Sequence, residues 1–472
     1  MAKYNSLREI QEAIRKQETS CVALVKYYLE RIEENKNLNV FLEVYADEAL
    51  KKAEEVDDKI KNNTAGRLAG MVIGVKDVLA YENHGLQAAS KILNGFESQF
   101  TATAVQRVID EDVIIIGRQN CDEFAMGSSN ENSAFGPVRN HADPTRVPGG
   151  SSGASAVAVQ ADMCLASLGS DTGGSVRQPA AFCGVIGVKP TYSRVSRWGL
   201  IAYASSFDCV GPITRDVDDA ALLLEIMAGA DEYDSTVSTR PVPAFTQQLA
   251  PKTHYRVAYM REALESEGLD EDIKQRTFEK INWLRSQGHV VDAVDYPLLK
   301  YLLPTYYILT TAEASSNLSR FDGVKYGYRA GSRIENLENL YKKTRAEGFG
   351  AEVRRRIILG TFVLSADYYD AYYTKAQRVR RLIKESTDKI LSSYDFLISP
   401  TTPTPPFKIG EKSDDQLQMF LADIFTVQAN VIGNPCISIP NGQSSDGLPI
   451  GIQVLGKNFE ESEMLAFAKF LQ

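Results

Sequence analysis

Two short segments rich in glycine and serine, residues 148–155 and 171–175, place the strongest limits on how this chain folds. Glycine has no Cβ, so the backbone can turn sharply there and aim several N–H groups at one point. A glycine-serine cluster alone is commonly just a flexible loop. A third feature precedes both segments, however: Lys76, inside the apolar run 71–79. The three together predict a serine–serine–lysine hydrolytic site built on tight turns.

The pattern along the chain is typical of an α/β fold. Residues 1–60 have mainly helical periodicity, and from 68 to 228 short β-branched runs alternate with helical stretches. Strand and helix patterns resume after residue 231, and residues 300–472 combine a long helical section with further short strands. There is no internal repeat and no clean linker. The sequence therefore predicts one large domain over residues 1–472, a mixed central β-sheet covered by helices on both faces, with its catalytic core at 68–228.

Composition limits the class of protein. With 44% hydrophobic residues in 472, the chain can bury a large core. Its formal net charge of −9 argues against a broad face that grips nucleic acid phosphates. We see neither an apolar signal region nor an apolar run of membrane-spanning length, so we expect a soluble cytoplasmic protein with no membrane contact. The six cysteines are dispersed without a Cys-x-x-Cys pair, which predicts neither a metal site nor disulfides.

Amide hydrolysis needs an activated oxygen nucleophile, a base to take its proton, and N–H donors that face the developing oxyanion. We predict Ser175 as the nucleophile, because its turn would place it beside such donors. The predicted oxyanion hole consists of Thr172, Gly173, Gly174 and Ser175. Burial in a strand lowers the pKa of a lysine, so Lys76 can serve as the base. Ser151, in the other glycine-serine segment, would relay the proton between Lys76 and Ser175.

Two other motif interpretations fail on their context. Residues 149–153 match the nucleophile elbow G-x-S-x-G, but the preceding stretch 139–148 is polar and contains prolines where the elbow needs an apolar strand. Residues 184–189 resemble a phosphate-binding loop, yet their spacing departs from G-x-x-x-x-G-K-[ST] and Pro190 follows the lysine. The sequence therefore predicts no nucleotide site on this chain.

Lys76, Ser151 and Ser175 resemble the catalytic triad of the amidase signature family, in which a lysine, a serine on a cis peptide bond and a nucleophilic serine act together on one α/β/α domain. The resemblance is stronger to the family's glutamine-hydrolysing members, each of which is one subunit of a tRNA-dependent amidotransferase. The segments that carry it are 124–129, 309–323 and 348–380. The resemblance covers essentially the whole chain, with one departure at Ala154, where the family usually has glycine.

The resemblance implies a binding site for glutamine. By motif position, the residues that hold the substrate are Tyr307, Arg356 and Asp423, together with Met126 and Gly127, and Tyr306 is an alternative to Tyr307. The charges suit an amino acid. The guanidinium of Arg356 can fork onto an α-carboxylate, and Asp423 can pair with an α-ammonium group.

The resemblance also implies partners. It places the chain in a heterotrimer with amidotransferase subunits B and C, where the partner binds ATP and Mg²⁺ and most of the charged tRNA, and this chain carries no cofactor. Ammonia released from glutamine would convert glutamate on tRNA(Gln) to glutamine. Two alternatives stay open. One is a free-standing amidase that acts on a small aryl or aliphatic amide, and the other is an inactive scaffold, which the intact triad disfavours.

Overall fold

One mixed sheet of eleven strands runs through the part of the chain that the computed structural model describes, residues 2–331, 334, 336–412 and 416–472. The strands are β1 Phe41–Val44, β2 Val72–Lys76, β3 Ile114–Gln119, β4 Ala166–Asp171, β5 Ile186–Lys189, β6 Cys209–Thr214, β7 Arg256–Met260, β8 Val290–Val294, β9 Phe396–Pro400, β10 Cys436–Gln443 and β11 Pro449–Leu455. Their order across the sheet is β1-β3-β2-β4-β6-β5-β10-β11-β9-β7-β8.

Sixteen α-helices surround this sheet in the described part of the chain. They are α1 Leu7–Arg15, α2 Cys21–Glu34, α3 Ala46–Lys61, α4 Thr103–Asp110, α5 Gly153–Gln160, α6 Arg177–Cys183, α7 Val217–Met227, α8 Arg261–Leu264, α9 Glu271–Ser286, α10 Leu299–Asn317, α11 Leu337–Gly348, α12 Ala351–Val363, α13 Lys375–Leu391, α14 Gln416–Leu421, α15 Val427–Ile432 and α16 Glu461–Leu471. Side-chain caps set several of the starts: Ser20 Oγ accepts from Ala23 N–H at the start of α2, and Asp216 does the same for α7.

The sheet is parallel at two places and antiparallel elsewhere. Strand β2 is parallel to both of its neighbours, β3 and β4, and β7 is parallel to β8 and β9. Every residue of β2, β4 and β9 is buried. Because side chains alternate between the two faces of a strand, full burial means that both faces are covered. The predicted mixed sheet with helices on both faces is confirmed, as is the single domain.

The N-terminal segment differs from its predicted helical character in one place. Residues 41–44 form β1, which pairs antiparallel with β3 and so extends the sheet to its edge. The helical periodicity of α2 and α3 on either side hid this short strand. Its burial is partial, as expected at a sheet edge, so its apolar pattern is weak.

Three further observations bear on function. In the described residues, no helix combines the length and the apolar character needed to cross a membrane. Nor do these residues contain a group of three or more histidine, cysteine, aspartate or glutamate side chains placed to hold a metal ion. All six cysteines are buried as free thiols, in agreement with their dispersed spacing.

Candidate active site

Lys76 is the last residue of β2, and its side chain is completely buried. Its Nζ donates hydrogen bonds to three serine hydroxyls: Ser151 Oγ at 2.8 Å, Ser152 Oγ at 2.8 Å and Ser170 Oγ at 2.9 Å. An ammonium group has three N–H donors, so the charged form is fully satisfied here by neutral oxygens. The sequence predicted the contact with Ser151, whereas Ser152 and Ser170 were missed.

Burial sets the basicity of this lysine. Loss of solvent is the largest influence and lowers the pKa of Lys76 to about 8, against the opposing pull of the Cys121, Asp122 and Asp171 side chains. The nearest polar partners are hydroxyls rather than carboxylates, so no direct ion pair holds the proton in place. Near neutral pH a substantial fraction of Lys76 is therefore the free amine, which can accept a proton.

The loop before α5 places Ser151 between the lysine and the second glycine-serine segment. The Gly150–Ser151 peptide bond is cis, as the family resemblance implied. Gly150 N–H donates to Gln178 Oε1 at 2.8 Å, which fixes the loop from one side. On the other side, Ser152 N–H donates to the carbonyl oxygen of Ser175 at 3.1 Å. One three-residue stretch thus contacts both Lys76 and the residue predicted as nucleophile.

The turn that carries Ser175 follows β4 and is held by a buried carboxylate. Asp171 Oδ1 accepts from Gly174 N–H at 2.9 Å, and its Oδ2 accepts from Val176 N–H at 3.2 Å. Arg177 pairs with the same carboxylate, with Nε at 3.1 Å, and Asn430 Nδ2 donates to it at 2.9 Å. Burial alone would raise the pKa of Asp171, but Arg177 outweighs it and lowers the pKa to about 2. The carboxylate stays ionised and keeps the turn closed.

The conformation of the turn depends on its two glycines. Gly174 has φ +126°, and a Cβ on it would lie 2.3 Å from Thr426 Oγ1, so no other residue fits without strain. Its amide is committed to Asp171, while the amides of Gly173 and Ser175 donate to no acceptor among the described residues. Ser175 is 7% exposed, which leaves a narrow opening to its side chain. Two adjacent free amides beside a reachable hydroxyl are what an oxyanion hole requires.

A second group of side chains, which we call the Arg356–Asp423 cluster, consists of Ser128, Tyr307, Arg356 and Asp423. Asp423 Oδ2 accepts from Ser128 Oγ at 2.7 Å and from Tyr307 Oη at 3.0 Å. Burial raises the pKa of Asp423 to about 6, with Ser128 and Tyr307 opposing the shift. The carboxylate is ionised at neutral pH and has capacity for a further donor.

Arg356 lies on α12, and its guanidinium is buried. Its Nε donates to Glu352 Oε1 at 2.7 Å, and its Nη1 donates to Tyr203 Oη at 2.6 Å. The guanidinium carbon is 5.4 Å from the centre of the Tyr307 ring. Although burial works against the charge, Tyr203 and Glu352 hold the pKa of Arg356 well above its ordinary value. One positive and one negative group therefore contact the same tyrosine.

The cluster and the serine turn touch each other directly. Thr426 Oγ1 donates to the carbonyl oxygen of Gly173 at 2.7 Å, and Thr426 N–H donates to the carbonyl oxygen of Asp423 at 3.1 Å. From α10, Tyr306 approaches the same glycine so closely that a Cβ on Gly173 would lie 2.3 Å from Tyr306 Oη. Opposite charges, a tyrosine and a serine turn with free amides thus share one buried region.

The structure also separates the two tyrosines that the sequence left as alternatives. Tyr307 contacts Asp423, whereas the Tyr306 ring is packed against Phe207 and its hydroxyl faces the serine turn. Met126 is completely buried, and a Cβ on its neighbour Gly127 would lie 2.3 Å from the carboxyl carbon of Asp122.

Several residues of the region were not singled out from the sequence. They are Ser128, Ser152, Ser170, Tyr203, Glu352 and Thr426. Ser128 lies inside the segment 124–129 that carries part of the family resemblance, so this segment pointed to it. The others reach the region through tertiary contacts and leave no local pattern.

A buried lysine bonded to a serine on a cis peptide bond, next to a serine turn with free amides, defines a serine hydrolase of the amidase type. The family model described as Amidase matches residues 23–465, and the chain belongs to this family.

Known proteins narrow the comparison. The glutamyl-tRNA(Gln) amidotransferase A subunit of Prosthecochloris aestuarii is 47% identical over 99% of this chain and 98% of its own length. The crystal structure of the protein of the same name from Thermotoga maritima is 39% identical, covers 99% of this chain and 95% of that one, and has a TM-score of 0.80. The peptide amidase of Stenotrophomonas maltophilia is 28% identical over 100% of this chain and 96% of its own, with a TM-score of 0.83. The fold is therefore common to both kinds of protein, and sequence identity distinguishes them.

Proposed function

We propose that this chain is the glutamine-hydrolysing subunit of an amidotransferase that converts glutamate on tRNA(Gln) to glutamine. The observation that carries this proposal is the Arg356–Asp423 cluster beside the serine turn. A free amino acid offers an α-carboxylate and an α-ammonium group at a fixed separation, and a buried arginine and aspartate that meet at one tyrosine complement both. The names of the relatives at 47–49% identity point to the same reaction.

In the proposed mechanism Ser175 Oγ attacks the side-chain amide carbon of glutamine. Its proton passes through Ser151 Oγ to Lys76 Nζ, which the pKa of about 8 leaves able to accept it. The oxyanion forms beside the free amides of Gly173 and Ser175, with Thr172 as a further donor. One such donor typically lowers the barrier by about 3 kcal/mol. Gly174 contributes the shape of the turn, because its own amide is bonded to Asp171.

The second half of the reaction releases both products. When the tetrahedral intermediate collapses, the carbon–nitrogen bond breaks and the proton held by Lys76 returns through Ser151 to the leaving nitrogen as ammonia. Water then attacks the resulting ester on Ser175, with the same relay as base, and glutamate leaves. Ammonia passes to the partner subunits, B and C, where ATP and Mg²⁺ activate the glutamate on tRNA.

The cluster weighs against a free-standing amidase for simple amides. Such substrates carry no charges to balance Arg356 and Asp423, so binding them would leave two buried charged groups without partners, which is costly. The acidic composition of the chain also fits a subunit that leaves tRNA binding largely to its partners.

The test is ammonia release from glutamine, measured for this chain alone and with its co-expressed partners, each with and without charged tRNA and ATP. We expect weak turnover by the chain alone and stimulation by the partners, tRNA and ATP. Turnover of aryl or aliphatic amides by the chain alone, with glutamine ignored, would instead establish the free-standing amidase.

A further inference from the structure

A buried glutamate outside the triad and outside the Arg356–Asp423 cluster joins two of the elements that build this cluster. Glu123 is 3% exposed, and its carboxylate accepts from the backbone N–H of Gly350, at 2.8 Å to Oε2 and 3.1 Å to Oε1. Oε1 also accepts from the hydroxyl of Ser90. Gly350 is the N-cap of α12, and it has no side chain to cap that helix. A carboxylate from elsewhere in the chain thus occupies the positive end of α12.

The α12 side of this junction leads directly to Arg356. Arg356 follows Gly350 by six residues, about 9 Å along the helix. Glu352, which binds the guanidinium of Arg356, lies in the first turn of the same helix. Any shift of the helix start therefore moves both members of this ion pair.

The other side of the junction leads to Asp423. Glu123 begins a tight stretch in which Phe124 and Ala125 have left-handed backbone angles, and this stretch ends at Ser128, which donates to Asp423. Phe124 strengthens the same junction, since its ring centre lies 5.6 Å from that of Phe349, the residue before Gly350. One glutamate and the ring next to it thus attach the Ser128 loop to the start of α12.

We propose that Glu123 is a positioning residue for substrate recognition, which fixes the distance between the arginine that takes the α-carboxylate and the aspartate that takes the α-ammonium group. The proposal rests on the proposed function and deepens it. Glu123 contacts neither the triad nor the substrate groups, so its effect falls on the affinity for glutamine and not on the chemistry of Ser175.

Electrostatics agree with this role. Burial raises the pKa of Glu123 to about 7, against the bonds from Ser90 and Gly350 and the charges of Arg354 and Lys91. Above that pH the carboxylate is ionised and accepts its N–H donors most strongly. Glu123 also lines a polar cavity of about 350 Å³, whose other charged residues are Lys91, Glu347 and Glu352.

The experiment compares Glu123→Gln with Glu347→Gln in the full-length chain with its partner subunits, at pH 8. Glu347 lines the same cavity but bonds to the Tyr328 hydroxyl and not to α12, so it is a matched control. Three readouts are needed: KM and kcat for glutamine, the rate at which phenylmethanesulfonyl fluoride labels Ser175, and the melting temperature. The label reports on the triad without any α-amino or α-carboxylate group.

For Glu123→Gln we expect KM for glutamine to rise about tenfold or more, as for the loss of a hydrogen bond to a charged group, while kcat and the labelling rate change less than about twofold. Glu347→Gln should match the wild type. If Glu123→Gln is unstable, Glu123→Asp serves instead, because it keeps the charge but shortens the reach to Gly350.

Two results would overturn the positioning role while leaving the proposed function intact. One is an unchanged KM in the glutamate variant, and the other is a parallel loss of kcat, labelling and melting temperature, which indicates a general structural role. A wild-type enzyme that is labelled by the sulfonyl fluoride but releases no ammonia from glutamine would overturn the proposed function, and the positioning role with it.

Discussion

The triad and the Arg356–Asp423 cluster are constructed in opposite ways. The triad comes from residues 76–175, where the end of β2, the loop before α5 and the turn after β4 meet. The four cluster residues come from four separate stretches spread over residues 128–423. Backbone geometry fixes the first, and side chains that contact one another fix the second. We therefore expect few and very large effects from changes in the triad, and graded effects on KM from changes in the cluster.

The largest effect is expected for Ser175→Ala. Removal of the attacking oxygen should lower kcat for glutamine by about 10⁴-fold or more and abolish labelling by phenylmethanesulfonyl fluoride. The melting temperature should hold, because no hydrogen bond of the turn uses this hydroxyl among the described residues. Full glutaminase activity in this variant would remove Ser175 from its assigned role.

Arg356→Lys should affect binding rather than chemistry. A lysine cannot fork onto a carboxylate and bond Glu352 and Tyr203 at once, so KM for glutamine should rise about 30- to 100-fold. Arg355→Lys is the control, since Arg355 lies next in sequence and pairs with the same Glu352 but is partly exposed. Equal effects of the two substitutions on KM would contradict the assignment of Arg356 to the α-carboxylate.

The pH dependence of kcat/KM tests the base. With the pKa of Lys76 at about 8, the amine form decreases as pH falls, so the rate should drop about tenfold per unit below pH 8 and level off above it. Below pH 6, protonation of Asp423 should steepen the fall, because burial raises its pKa to about 6. A profile that stays flat between pH 6 and pH 9 would exclude Lys76 as the titrating base.

The smallest effect separates two neighbouring serines. Ser128→Ala removes one of the hydrogen bonds to Asp423 and should raise KM for glutamine about five- to tenfold. Ser129→Ala should change nothing measurable in KM, because the Ser129 hydroxyl is buried without a hydrogen-bond partner in the described part of the chain. If the two variants behave alike, the contact of Ser128 with Asp423 does not contribute to binding.

Most of the fold was predictable because its signals are local. The apolar run that ends at Lys76 is a buried strand, and the glycines that follow β4 form the expected turn. Strand β1 escaped notice, since four half-buried residues at a sheet edge between two helices carry little periodicity. Neither a propensity nor a pattern of apolar residues distinguishes such a strand from the end of a helix.

The site was predictable only in part, for a physical reason. Lys76, Ser151 and Ser175 stand in motifs whose spacing reflects their chemistry. The hydrogen bond from Arg356 to Tyr203 joins positions 153 residues apart, and that from Ser128 to Asp423 joins positions 295 apart. Contacts of this kind depend on how helices pack on the sheet, so only the resemblance to a family pointed to Arg356 and Asp423. The bond between the Gly174 amide and Asp171 likewise needed the structure.

The position of Thr426 has a consequence for anyone who wishes to retarget this scaffold. Its hydroxyl bonds the carbonyl oxygen of Gly173, and its amide bonds the carbonyl oxygen of Asp423, so one residue belongs to both halves of the pocket. A library that randomises the segment around Asp423 to admit a new amide would also disturb the glycine turn, and turnover would fall before selectivity improved. Libraries confined to α12 avoid that penalty and are the better starting point for directed evolution.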